Sequence, residues 1–408
     1  MDFIKECRIC NNANIKPFLS LGKQPFANSL LNSPDEKENS YPLSLSFCGD
    51  CGLVQLNETA DPKELFSKYV WVTGTSRTAR DYSKTFCDNI LSKVDVNGSY
   101  VLEVASNDGT FLIPFIQKGY NVLGVDPAEN IVDIAISNGV PTACSFFGQD
   151  IARQIVEEKG KAKVIFARNV IAHVANLHDF VSGLETCLDD EGLLVLEAHY
   201  AKPILEGLQY DSFYHEHLCY FSIKSMENLL KQHNFHIVDV RQGPISGGSL
   251  EVYAAKNNQQ ESVNVSSFRN TEKLIGLNEF NSWIDFAKRV HSHKDELSAI
   301  LSDLSKTKNI VGYGASARSS TLLNFCGITP DMVSMIADQN PIKHNKYTAG
   351  THIPIYSPDD VMDTNPDYVF ITGWNFTDEI INILSDRYSF NGKCIIPLPN
   401  KPEIRDLN

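Results

Sequence analysis

The chain reads as an α/β protein with a doubly wound sheet at its centre, and three observations predict it. Short β-rich runs alternate with helical stretches from Tyr100 onward, the pattern of parallel strands joined by crossover helices. Two Cys-x-x-Cys pairs, Cys7/Cys10 and Cys48/Cys51, mark a separate module before the sheet. A glycine-rich turn, Gly312-Tyr313-Gly314, opens a second strand–loop–helix unit after it. A chain of 408 residues exceeds what one hydrophobic core usually organises, so the sequence divides into 1–65, 66–256 and 257–408.

Composition narrows the function classes. An apolar fraction of 42% is enough to fill these cores, and a net charge of −14 argues against nucleic acid or an anionic membrane as the main partner. No apolar run reaches the roughly 18 residues of a membrane span, and Met1-Asp2-Phe3-Ile4-Lys5-Glu6 lacks the basic-then-apolar plan of a secretory signal. The expectation is a cytoplasmic protein, a monomer or weak homodimer, with no nucleic-acid or membrane partner.

In a reducing compartment clustered cysteines are metal ligands rather than disulfide halves. Arg8-Ile9 and Gly49-Asp50 fill the turns of the two pairs, and Gly49 lets backbone amides point at the thiolates. Four sulfurs with no open position suit tetrahedral structural Zn²⁺; the competing reading is a set of buried free thiols. Cys87, Cys144, Cys187, Cys219, Cys326 and Cys394 are scattered and read as small core residues.

Residues from Asp61 to Val96 carry helical spacing. Strands are then expected at Tyr100–Val104, Asn121–Val125, Val164–Ala167 and Leu193–Glu197, with a closing pair at Ile237–Arg241 and Ser249–Ala255, the layout of class I methyltransferases. The loop after the first strand, Val104-Ala105-Ser106-Asn107-Asp108-Gly109-Thr110, lacks G-x-G-x-x-G. Glu103 and Asp108 would repel a pyrophosphate there and welcome a cationic amino-acid tail, which favours S-adenosylmethionine over NAD. Gly124-Val125-Asp126-Pro127 puts a carboxylate at the end of the second strand, where ribose hydroxyls are usually bound.

Tyr214-His215-Glu216-His217 places four ionisable side chains in a row. Histidine can take a proton near neutral pH, while tyrosine and a carboxylate can orient and polarise a carbonyl. A solvated loop or a His-x-His metal pair is the bland alternative.

Past Ala255 the polar stretch Lys256–Ser262 reads as a linker. A long amphipathic helix follows, with Leu277, Phe280, Ile284, Ala287 and Val290 on one face. Strands are expected near Ile310, at Val333–Ala337, Tyr368–Thr372 and Cys394–Ile396, which makes the C-terminal domain Rossmann-like. Its G-x-G-x-x-A with Asp338 downstream is weak evidence for NAD.

Taken together, Cys7/Cys10/Cys48/Cys51, Glu103–Gly109, Asn169–Val174, Tyr214–His217, Gly247-Gly248-Ser249-Leu250, Gly312–Ala317 and Asn340–Lys343 make the chain resemble the bacterial sugar C-methyltransferases over nearly its whole length. The resemblance implies methyl transfer from S-adenosylmethionine to a carbon, C3 for the type enzyme, beside the ketone of a nucleotide-linked 4-keto-deoxysugar. A sugar C–H attacks a methyl group only as an enolate, so a base and an oxyanion donor are needed. The resemblance implies His217 as base, Tyr214 as donor, Glu216 as orienting or tuning group, and roles for His173 and for Tyr69. It puts Glu103, Ser106, Asn107, Asp108, Gly109, Asp126, Pro127 and Asn169 around the cofactor. It puts Tyr69, His215, Gly247, Gly248, Ser249, Gly314, Ala315, Arg318, Asn340 and Lys343 around the substrate, Arg318 and the glycine loop meeting phosphates. Where relatives carry lysine this chain has Arg318, which keeps the charge but changes its geometry. A sugar O-methyltransferase, a non-catalytic sugar-nucleotide-binding protein and an oxidoreductase using the C-terminal glycine motif stay open.

Overall fold

A computed structural model of the chain describes residues 1–66, 72–243, 247–257 and 259–407. The expectations for Tyr69 lie outside the described residues. No helix among them is long and apolar enough to cross a membrane.

The N-terminal module is an antiparallel sheet of Ile15–Gln24, Tyr41–Cys48 and Val54–Leu56. Leu43, Leu45 and Phe47 point inward at every second residue of its middle strand, the period of a half-buried strand. Its fourth strand comes from far along the chain: Cys219–Tyr220 pairs antiparallel with Val54 and Gln55. The segment that carries Tyr214–His217 is therefore stitched into the cysteine module.

The central sheet has seven strands among the described residues: β1 (Tyr100–Val104), β2 (Asn121–Asp126), β3 (Thr142–Cys144), β4 (Ala162–Arg168), β5 (Leu188–His199), β6 (His236–Gly243) and β7 (Ser249–Ala255). Their spatial order is β6-β7-β5-β4-β1-β2-β3, with β7 antiparallel to β5 and to β6 and the rest parallel. This is the class I methyltransferase topology. Every residue of β1 is buried, as a central parallel strand covered on both faces requires. The edge strand β3 escapes sequence reading because its three residues are half-buried or exposed and carry no apolar pattern.

The expected helical run from Asp61 to Val96 is broken. It resolves into Pro62–Phe66, a 3₁₀ turn at Thr73–Thr75 and a helix Arg77–Leu91 capped by Ser76. The break has a cause downstream: Asn107 Oδ1 and Asp108 Oδ2 accept the Thr73 and Gly74 amides at 2.8 and 2.9 Å, pinning the turn over the loop after β1.

The C-terminal domain begins with helices Val263–Leu274 and Phe280–Leu304. The buried stripe of the long helix is Trp283, Phe286, Ala287, Val290, His293, Leu297 and Leu301, rotated from the expected one: Ile284 is half-buried and Leu277 precedes the helix. Five parallel strands, Ile310–Tyr313, Ile336–Ala337, Pro354–Tyr356, Tyr368–Phe370 and Lys393–Ile396, carry antiparallel edges at Lys346–Tyr347 and Glu403–Asp406. The cysteine expectation needs one correction, since Cys144 is exposed while the other five scattered thiols are buried.

Candidate active site

The two cysteine pairs meet. Cys7 and Cys51 Sγ lie 3.4 Å apart and Cys10 and Cys48 Sγ 3.5 Å apart, with all four sulfurs within 4.8 Å of one another. A tetrahedral ZnS₄ centre with bonds of about 2.3 Å spans sulfur–sulfur edges of roughly 3.8 Å, so the residues fit the metal. Each knuckle closes on a left-handed residue one place beyond its second cysteine, Asn11 (φ 53°) and Gly52 (φ 78°). Their amides return to the Cys7 and Cys48 carbonyls at 3.0 Å. The glycine that shapes the second turn is thus Gly52, while Gly49 makes room for Asn14, whose Nδ2 would lie 2.6 Å from a β-carbon there. The first knuckle docks on the central domain through Ile9 O, which accepts from His178 Nε2 at 2.8 Å and Gln232 Nε2 at 3.2 Å.

Beside the C-terminal ends of β1, β2 and β4 lies a cavity of about 440 Å³. Glu103, Ser106, Asn107, Asp126, Pro127 and Asn169 line it, together with His173. Asp108 and Gly109 shape the loop from behind: Asp108 binds the Gly74 amide and the Thr110 hydroxyl, and a β-carbon at Gly109 would strike Val140. Ala105, Asn107 and Gly109 all have positive φ (57°, 50°, 79°), so the chain doubles back at alternate residues. Held in a non-glycine residue such as Ala105, that geometry costs on the order of 1 kcal/mol or more, the kind of strain that collects at binding sites.

The cavity suits a polar, cationic ligand. Glu103 Oε2, Ser106 Oγ and Asn169 Oδ1 are buried with no hydrogen-bond partner among the described residues. Burial raises the Glu103 pKa well above the ordinary value, against the opposing charge of Arg168. Asp126 accepts the Asn107 and Ala128 amides at 2.9 and 3.0 Å, and its pKa is raised by burial while those amides act the other way. Each of its oxygens keeps a lone pair for a hydroxyl. The residues fit S-adenosylmethionine: a carboxylate at the end of β2 for the ribose, and Glu103 for the cationic amino-acid end.

The Tyr214–His217 segment packs against the inner end of this cavity through His173, whose ring centroid lies 4.8 Å from that of His217. His217 is buried; Nδ1 meets the Ser212 carbonyl at 3.3 Å and Nε2 meets the Tyr214 hydroxyl at 2.8 Å. This sets a neutral tautomer, Nδ1–H donating and Nε2 accepting. Burial, then His199 and His173 beside it, hold its pKa well below the ordinary histidine value, and the Arg318 charge acts the same way. His173 is lowered to about 4 chiefly by burial. Glu216 is pushed up to about 7 by burial, opposed by Asn28 Nδ2, which donates to Oε1 at 2.5 Å. His215 points elsewhere: its Nε2 meets the Pro42 carbonyl at 3.0 Å and its ring packs edge-on against Phe26 and Tyr41 of the cysteine module.

The remaining substrate candidates gather at the C-terminal domain. Gly314 (φ 105°) lets two loops touch, a β-carbon there lying 3.0 Å from the Gly373 amide nitrogen. Ala315 N donates to Asp338 Oδ2 at 2.8 Å; Lys343 Nζ reaches the same oxygen at 3.1 Å and the Ala315 carbonyl at 2.7 Å; Asn340 Oδ1 caps Ile342 N. The carboxylate that would bind a dinucleotide ribose is therefore occupied by the protein's own donors, which weighs against the NAD reading. Arg318 sends Nε and Nη2 to Asp211, each at 2.9 Å. Gly247 accommodates the third nitrogen, Nη1, which would lie 3.1 Å from a β-carbon there; a β-carbon on Gly248 would strike Gln242, and Ser249 Oγ donates to Glu197 at 2.6 Å.

Sequence reasoning passed over three residues. His199, at the end of β5, packs at a tilt against His217 with centroids 3.9 Å apart, and its Nδ1 is buried without a partner among the described residues. Its place at a strand's C-terminal end, where α/β sites form, was the available signal. Asn28 and Asp211 are contacts across domains, for which a sequence carries no local signal.

The comparisons with known proteins agree with this layout. Family models match the chain in three successive parts: a zinc binding domain over 7–66, a methyltransferase domain over 78–240 and a C-methyltransferase C-terminal domain over 244–399. C-methyltransferase NovU of Streptomyces niveus is 30% identical over 404 residues, covering 97% of this chain and 96% of that protein. The ubiquinone biosynthesis O-methyltransferase of Bartonella bacilliformis is 23% identical over 100 residues, 24% of this chain and 40% of that one. Among solved structures, a SAM-dependent methyltransferase from Anabaena variabilis overlaps 46% of this chain and 88% of its own, at 15% identity and a TM-score of 0.37. With the four-cysteine module, the class I sheet and the C-terminal domain all matched in order, the chain belongs to the S-adenosylmethionine-dependent C-methyltransferases, the family of NovU.

Proposed function

We propose that the protein methylates a carbon adjacent to the ketone of a nucleotide-linked 4-keto-deoxysugar, C3 in the simplest case, through an enolate, as a step in branched-sugar biosynthesis. The observation that carries the proposal is His173, which lines the cofactor cavity and also meets His217 edge-on, so that a methyl donor bound in the cavity would lie close to the base. A buried, neutral imidazole whose Nε2 lone pair already accepts a hydrogen bond is poised to take a proton from carbon. On substrate binding the Tyr214 hydroxyl moves its hydrogen bond from His217 to the ketone oxygen. The C–H bond then breaks, its proton goes to His217 Nε2, and its electrons pass into the enolate whose oxygen Tyr214 holds. Held by Asp126 at the ribose and Glu103 at the amino-acid end, S-adenosylmethionine would supply the electrophilic methyl that the enolate carbon takes, its sulfonium becoming a neutral thioether. Glu216, ionised above about pH 7, orients a sugar hydroxyl.

Incubation with a dTDP-, GDP- or CDP-linked 4-keto-deoxysugar in deuterium oxide tests this. Without methyl transfer, deuterium should appear at the carbon beside the ketone, and with S-adenosylmethionine the product should gain one methyl on that carbon. O-methylation with no washout would overturn the enolate and leave the sugar reading alone.

A further inference from the structure

Arg318 is the residue that the resemblance offers to substrate phosphates, yet the structure commits it to the protein. Nε and Nη2 form a fork on Asp211 Oδ2 and Oδ1, both at 2.9 Å, and Nη2 also reaches Gln209 Oε1 at 3.3 Å. Its guanidinium lies 4.8 Å above the centroid of Trp374, whose indole N–H donates to the same Asp211 at 2.7 Å. Asp211 is 1% exposed and stands three residues before Tyr214. Beside this cluster Thr321 Oγ1 donates to the Phe213 carbonyl at 2.8 Å, and Tyr210 meets His293 Nδ1 at 3.0 Å. The residues leading into the base are thus held at four successive positions from 210 to 213, among them the Ser212 carbonyl that fixes the His217 tautomer.

We propose that Arg318, clamped to Asp211 and Trp374, is a positioning residue through which the C-terminal domain sets the geometry of the catalytic segment, and not the receptor for the substrate's phosphates. The physical warrant is the fork. A bidentate guanidinium–carboxylate pair under an aromatic face fixes direction as well as distance, and a buried carboxylate that lost it would stand uncompensated beside the base. The proposal rests on the reading of His217 as base.

Electrostatics gives the clamp a readout that mere packing lacks. Among the described residues, the groups acting on His217 are His173, His199 on β5, Tyr214 on its own segment, Tyr220 on the strand that follows, and from the C-terminal side the charge of Arg318, itself paired with Asp211. Of the pair, the Arg318 charge is the one that reaches His217, and after burial and the two histidines it too lowers that pKa. Removing only the cation lifts that effect and leaves a bare carboxylate, both of which favour the imidazolium and disarm the base at low pH.

The test compares Arg318→Gln, Arg318→Lys and Arg318→Gln/Asp211→Asn with the parent, measuring kcat, KM for the nucleotide sugar, and the pH profile of kcat/KM. Arg318→Gln should lower kcat about 10-fold or more and move the acid limb up by about one pH unit, with KM within about 2-fold. Arg318→Lys keeps the charge but not the fork, so its kcat should fall while its limb stays in place. The double variant should return the limb toward the parent. A KM rise of about 10-fold or more in Arg318→Gln with an unmoved limb would make Arg318 a phosphate receptor and overturn the proposal. Should Arg318→Gln not fold, Trp374→Phe removes the indole donor and narrows the aromatic face while leaving both charges in place, and an unchanged kcat there counts equally against the clamp. His217→Asn isolates the parent reading: solvent exchange surviving in that variant removes the base whatever Arg318 does.

Discussion

The cofactor cavity and the Tyr214–His217 segment sit side by side but are held in opposite ways. The cavity is made largely by strand ends and loops of the central domain, with Pro62 and Phe66 also lining it, and it leaves Glu103 Oε2, Ser106 Oγ and Asn169 Oδ1 buried and without a partner among the described residues. The segment and the residues leading into it borrow most of their partners from two other domains: Asn28 for Glu216, Pro42 for His215 Nε2, Arg318 and Trp374 for Asp211, while His215 Nδ1 has none among the described residues. Unsatisfied groups mark where a ligand completes the hydrogen bonding, whereas satisfied ones mark where the protein has to hold a side chain still.

If the segment depends on its neighbours, the largest effect should come from the neighbour farthest from the chemistry. Metal analysis should find about one Zn²⁺ per chain. Because structural zinc sites carry on the order of 10 kcal/mol of apparent binding energy, chelation or Cys48→Ser should unfold the module. The strand Cys219–Tyr220 belongs to that module's sheet, so methyl transfer should disappear along with the loss of melting temperature while S-adenosylmethionine binding persists. Full activity in metal-free protein would break the comparison at its root.

Within the segment, the two histidines separate. His217→Asn keeps polarity but cannot hold a proton near neutrality, and turnover and solvent exchange should both fall by roughly 10²-fold or more with ligand binding little changed. His215→Asn loses only a contact with the module and should cost far less. Equal, chelator-sensitive losses for the two variants would point instead to a metal pair.

How much of this was legible depended on how local the signal was. The two cysteine pairs, β1 and its loop, Asp126 and the Tyr-His-Glu-His run are each written in neighbouring residues; the structure brings the four sulfurs together and lines one cavity with the loop and Asp126, but turns His215 toward the cysteine module. The broken helix before Ser76 was not legible, since the interruption comes from Asn107 and Asp108, about thirty residues on. The rotated stripe of Phe280–Leu304 is of the same kind, Trp283 and Phe286 taking the buried positions that Ile284 had been given. Arg318 shows the limit most clearly. A basic residue after a glycine loop has the pattern of a phosphate site, and only the fold reveals that a carboxylate 107 residues away already occupies it.

The cavity offers the complementary test. If Asp126 holds the ribose, Asp126→Ala should weaken S-adenosylmethionine binding by about 1.5–3 kcal/mol, as for a charge-assisted hydrogen bond, and leave nucleotide-sugar binding nearly intact. Calorimetry with each ligand separates the halves of the site. A loss shared equally by both ligands would mean that the Asn107 and Ala128 amides, which Asp126 also accepts, hold the loop for the whole active site and not for the cofactor alone.

The smallest effect expected is at Asn28, where the cysteine module touches the chemistry through one hydrogen bond. Burial raises the Glu216 pKa from 4.5 to about 7, and the Asn28 amide is the group that lowers it. Asn28→Ala therefore moves that pKa higher, so a limb of the pH–rate profile set by Glu216 should shift to higher pH and turnover near pH 7 should fall by about 3-fold. Stability follows the same sign. A carboxyl whose folded pKa lies above its unfolded value contributes stability that is full below about 4.5 and lost as pH rises through about 7. The loss should run to higher pH in Asn28→Ala and be absent in Glu216→Gln, which has no proton to give up. Melting temperatures for the three proteins between pH 5 and pH 8 check this, because parallel curves would mean that Glu216 keeps an ordinary pKa and that the module supports the segment by shape alone.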